Sequence, residues 1–108
     1  MSAANPTDDL HVRVAAHGYH LFLRPDRPSG WWVTIRDGSE GITRPVEAYA
    51  PTRDEALGLA SRLFTSHRLA ELDLLVRESG LTPPPWTEPD LDRRLDTLAA
   101  FAREHGIA

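Results

Sequence analysis

The sequence predicts an α+β fold: a four-stranded antiparallel meander on one long helix, then a proline linker and a C-terminal amphipathic helix. Three observations carry that expectation. Apolar residues alternate with polar ones in short segments before Pro51, the period-2 signature of half-buried strands. From Arg53 onward the apolar spacing changes to that of a helix. Turn residues separate the segments by short links, which favours neighbouring strands paired in chain order.

Each element follows in turn. Residues Met1 to Asp9 (MSAANPTDD) read as a disordered tail ahead of a single domain spanning 10–108. HVRVAA and YHLFLR flank His17-Gly18, which suggests a hairpin with a two-residue turn. In that register Ala16 faces Tyr19, Val14 faces Leu21 and Val12 faces Leu23, all on one face. Pro25, Pro28, Ser29 and Gly30 form the next turn. WWVTIR then reads as a strand with Trp31, Val33 and Ile35 inward. After the turn-rich Asp37 to Gly41, VEAYA is the fourth strand, with Val46, Ala48 and Ala50 inward. The sheet is thus expected over 11–50.

Thr52 and Glu55 match a capping box at the start of a helix over 53–79, with Gly80 as its stop. At roughly 1.5 Å per residue that helix is about 40 Å long, against ~17–20 Å for a typical strand. It must overhang the sheet or bend near Thr65-Ser66, and an overhang carrying the apolar residues Leu69, Leu72, Leu75 and Val76 needs a partner. These four are the candidate oligomer contacts. A stiff linker follows at 81–87, with Trp86 packed on the body. The last helix is expected over 88–105, capped by Thr87, with Leu91, Leu95, Leu98 and Ala102 in a stripe.

Composition bounds the function. The chain has 108 residues, 12 basic and 16 acidic, for a net charge of −4. A duplex DNA binder generally carries a basic surplus, so that role is disfavoured. Every basic residue is arginine and there is no cysteine, which removes disulfides and thiolate metal sites. No apolar run is long enough to span a bilayer, and the polar, acidic start is not that of a signal peptide. A cytoplasmic location is expected, with no cofactor and no membrane partner.

Few residues advertise chemistry. His17 and His20 are three apart with no third ligand placed beside them, and a metal site needs three or four. There is no nucleophile elbow and no glycine-rich phosphate loop. Asp54-Glu55 fits helix capping. The informative surface is the outer sheet face, which collects Phe22, Trp32 and Tyr49 with Arg13, Arg24 and Arg36. Aromatics beside guanidinium groups suit a protein interface or stacked unpaired bases. The same face can also be closed by the chain's own last helix.

WWVTIRDG, then a strand, then APTRDEALGLASRL and ESGLTPPP resemble the N-terminal module of HicB-type antitoxins, over Trp31 to Pro85. The resemblance implies a sheet backed by a helix in a toxin-binding, oligomeric regulator. This sequence departs from the family pattern in its longer helix and in the single helix that replaces the usual DNA-binding tail. The leading reading is a non-catalytic protein-binding or regulatory module, homodimeric or with a protein partner. A single-stranded nucleic-acid adaptor and a small enzyme of unknown chemistry are the alternatives. The enzyme reading requires a cleft holding two or more titratable groups.

Overall fold

The computed structural model describes residues 6–37, 45–85, 87 and 89–107. Its elements run α1 (Pro6–Ala15), β1 (Tyr19–Pro25), β2 (Trp31–Asp37), β3 (Val46–Ala50), α2 (Arg53–Glu78) and α3 (Leu91–Glu104). The chain groups into two compact units, Met1–Phe64 and Thr65–Ala108, with the division inside α2.

The fold is α+β with an antiparallel meander, but the sheet has three strands and not four. The expected first strand is α1. Residues 6–9, expected in the disordered tail, are its first turn. Pro6 opens it, a residue that suits the first helical position, and Asp8 and Asp9 lie in the first turn, where negative charge meets the helix dipole. Leu10 and Val14 are buried, a pair spaced i, i+4 on one helix face. Val12 is 68% exposed. Two valines at i, i+2 had mimicked a strand; the decisive pair is Leu10 with Val14. Gly18 ends the helix and is not a hairpin turn. Its φ is +80° and its N–H donates to the Ala15 carbonyl, a left-handed C-terminal position that glycine takes without a Cβ penalty.

The sheet register is Leu21 opposite Ile35, Leu23 opposite Val33, Val33 opposite Ala48 and Ile35 opposite Val46. One face therefore collects Tyr19, Leu21, Leu23, Val33, Ile35, Val46 and Ala48, all buried or half-buried. Expectations for β2 and β3 hold on this face. The Gly38–Gly41 part of the expected turn lies outside the described residues. The first part of α2 supplies Ala56, Leu57, Ala60 and Phe64 to the buried set. Phe64 receives the rings of Tyr19 (5.2 Å) and His17 (5.7 Å) edge-on.

The capping box is real at its first half. The Glu55 N–H donates to Thr52 Oγ1 at 3.2 Å, and Ala56 N–H to the Thr52 carbonyl at 3.0 Å. Thr52→Ala is expected to cost about 1 kcal/mol, read as a lower urea midpoint with an unchanged slope. A loss under about 0.3 kcal/mol would mean that water replaces the cap.

In the second unit α2 continues as α-helix through Ser66 and ends at Gly80 with the paired bonds of a Schellman motif: Leu81 N–H to the Val76 carbonyl and Gly80 N–H to that of Arg77. Pro83 of the linker is buried, while Trp86 lies outside the described residues. α3 starts at Leu91, later than expected, and its cap is Asp90, not Thr87. The Asp90 carboxylate accepts from the Asp92 N–H at 2.9 Å. Thr65 is buried and donates its hydroxyl to Asp92 Oδ1 at 2.9 Å, tying α2 to the first turn of α3. Leu95, Leu98 and Ala102 are fully buried, whereas Leu91 of the expected stripe is exposed.

Candidate binding face

The outer face of the sheet is built by parity. Residues of even number on β1 and β2, and of odd number on β3, point away from the buried side. Pairing places them in rows: Arg24, Trp32 and Tyr49; then Phe22, Thr34 and Glu47; then His20 and Arg36. Phe22 is 54% exposed and Tyr49 42%. Trp32 is half-buried, and its ring lies 5.2 Å from that of Tyr49. Phe22, Arg24, Thr34, Arg36 and Glu47 line a depression of about 320 Å³. Two guanidinium groups therefore border one aromatic ring and one carboxylate.

Tyr49 is held in place from the β1–β2 turn, where the Arg27–Pro28 peptide is cis. Its hydroxyl donates to the Ser29 carbonyl at 3.1 Å. Gly30 lies directly beneath the ring: a Cβ built there would stand 2.4 Å from Tyr49 Oη and 2.6 Å from Cε2 and Cζ. Its φ is +112°. The turn and the aromatic pair are one packed unit.

Five of the six expected face residues come together, and Arg13 does not. Arg13 belongs to α1. Its Nη1 donates to Ser61 Oγ at 3.0 Å, and its guanidinium sits 5.8 Å from the Phe64 ring centre. It left the face when its strand became a helix. Thr34 and Glu47 line the depression in its place. Their parity had already marked them as outward; their polarity hid them from a search for aromatics and arginines.

The expected oligomer stripe is also placed differently. Leu72 and Val76 are fully buried, and Leu69 and Leu75 half-buried. The chain itself covers most of that stripe, so it is not an open surface. Leu74, one position off it, is the exposed leucine there.

His17 packs on Phe64 while His20 lies on the outer face, so the two imidazoles diverge. Among the described residues no three His, Cys, Asp or Glu side chains gather as a metal site would require. A second depression, of about 510 Å³, is lined by Ala50, Asp54, Glu55, Gly58, Leu59 and Arg62. Both depressions hold more than one titratable group, the condition set for the enzyme reading. The first sets the Thr34 hydroxyl and the Glu47 carboxylate on paired positions of β2 and β3, and the second holds Asp54 and Glu55.

No family model, curated protein or solved structure matches this chain. Among the described residues, no helix is long and apolar enough to cross a membrane.

Proposed function

We propose that this chain is a non-catalytic binding module of the cytoplasm, and that its outer sheet face takes a segment of a protein partner. The observation that carries this is the exposure of Phe22 and Tyr49 on one sheet face, Phe22 between the rows of Arg24 and Arg36 and Tyr49 in the Arg24 row. Aromatics and arginines anchor protein interfaces: the rings bury much area for two rotatable bonds, and the guanidinium offers a planar fork of donors. The arginines favour a partner segment with carboxylates flanking an apolar residue. Glu47 sits in the middle row, opposite Thr34, and it repels a phosphate chain laid across the same face. With a chain charge of −4, that favours protein over single-stranded nucleic acid. The resemblance of Trp31 to Pro85 to HicB-type antitoxins supports a regulator with a protein partner.

The test is affinity capture from the native host with the full chain, followed by titration of the captured protein. Phe22→Ala and Arg36→Ala are expected to weaken binding ten- to a hundredfold, about 1.4–2.8 kcal/mol. Both side chains are exposed, so the melting temperature should hold. Binding unaffected by either change would sink the proposal. Salt-sensitive quenching of tryptophan fluorescence by single-stranded oligonucleotides would transfer the face to nucleic acid.

A further inference from the structure

Two features of the first unit adjoin each other, and neither is explained by the single chain. β3 is an edge strand: the side away from β2 carries no strand among the described residues. An open edge is a template for pairing with another chain. At the end of β3, the first turns of α2 border the depression lined by Ala50, Asp54, Glu55, Gly58, Leu59 and Arg62. Gly58 lies in the helix interior, where glycine costs roughly 1 kcal/mol against alanine. Among the described residues nothing requires it there, since a Cβ at Gly58 would meet no atom within 4 Å. The missing side chain leaves room for something from outside.

We propose that this surface joins two copies of the chain about a two-fold axis, β3 to β3 and α2 to α2, and so makes one six-stranded sheet. The sequence is self-complementary in that arrangement. Antiparallel pairing centred on Ala48 puts Val46 of one copy opposite Ala50 of the other, and Glu47 opposite Tyr49. No like charges meet across the seam. Neighbouring helices on one sheet pack 8–10 Å apart, about twice the strand spacing. Antiparallel α2 helices with the axis between Gly58 and Leu59 seat Leu59 of each copy over Gly58 of the other. The same register sets Glu55 of each beside Arg62 of the other. Leu59 is half-buried, and Glu55 and Arg62 are exposed. This side of α2 is free of α1, because Ser61, which bonds Arg13 of α1, is two residues from Leu59 and so about 200° round the helix. The axis stands across the sheet, so both aromatic faces open on the same side of the dimer.

Light scattering of the full chain over a range of concentrations tests this. The expected mass is twice the 12.0 kDa of one chain. Gly58→Leu fills the hole with a better helix former, so the fold should be at least as stable. Its dimer dissociation constant is expected to rise at least about tenfold, from overpacking at two symmetric sites. Arg62→Glu should raise it about tenfold by setting carboxylate against carboxylate. Combining it with Glu55→Arg restores the opposite charges and should return the constant to near wild type. A single-chain mass at every concentration overturns the proposal. So does a dimer that Gly58→Leu and Arg62→Glu leave unchanged. Neither result bears on the outer face, which is tested separately through Phe22 and Arg36.

Discussion

Phe64→Ala is expected to cost about 3–5 kcal/mol, a large share of the stability of a domain whose total is about 5–15 kcal/mol. Phe64 is fully buried. Tyr19 and His17 present their rings to it at 5.2 and 5.7 Å, and Arg13 covers it at 5.8 Å. Truncation removes the ring and leaves a void that three elements must collapse to fill: α1 through Arg13, the turn through His17, and β1 through Tyr19. None can move far. Tyr19 is locked in the β1–β2 register opposite Asp37, and Arg13 is tied to Ser61. The cost therefore falls at the upper end for a large-to-small change. Phe64→Leu retains most of the volume and should cost less than half as much. Urea unfolding measures both; a Phe64→Ala loss below about 1 kcal/mol would show that the cluster is not the centre of the first unit.

Gly30→Ala is expected to destabilise by about 2–3 kcal/mol through two separable causes. The backbone at φ +112° costs about 1–3 kcal/mol for a residue with a Cβ. The rest comes from Tyr49, whose ring occupies the space that the Cβ needs. Displacing it breaks the hydroxyl bond to Ser29 and the ring contact with Trp32. The causes are told apart in a double-mutant cycle. In a Tyr49→Ala background the collision is gone, and Gly30→Ala should cost only the backbone share, with a coupling of about 1 kcal/mol. Near-ultraviolet dichroism from Trp32 should change in Gly30→Ala and not change further on adding Tyr49→Ala. Strict additivity of the two substitutions would sink this account of the turn. Because Tyr49 belongs to the outer face, Gly30→Ala should also weaken partner binding without touching the partner.

Legibility differed between elements for physical reasons. β2 and β3 were readable because each carries a full period-2 pattern with both faces defined, from Trp31 to Arg36 and from Val46 to Ala50. The start of α2 was readable because a cap is a local bond, from Glu55 to Thr52, that needs no distant partner. α1 was misread because two short-range signals fit two structures. Val12 and Val14 fit a strand, Leu10 and Val14 fit a helix, and Gly18 suits either a turn or a helix stop. The helix-start residues Pro6, Asp8 and Asp9 were assigned to a tail, so nothing opposed the strand. That one error carried Arg13 onto a face it does not occupy. α3 began later than expected because two capping residues, Thr87 and Asp90, competed, and the chain uses the one after Pro89.

By itself the sequence determined which side of β2 and β3 is apolar, where α2 begins, where it ends, and the absence of any thiolate chemistry. These are local matters, set by neighbours within about four residues. Only the tertiary structure decided what covers each apolar surface. The stripe on α2 is as apolar in the sequence as any interface, yet Leu72 and Val76 are buried at home. Phe22 and Tyr49, with the same apolar character, are left in solvent. Burial belongs to pairs of surfaces distant in the chain, and a one-dimensional pattern names the surfaces without naming the pairs.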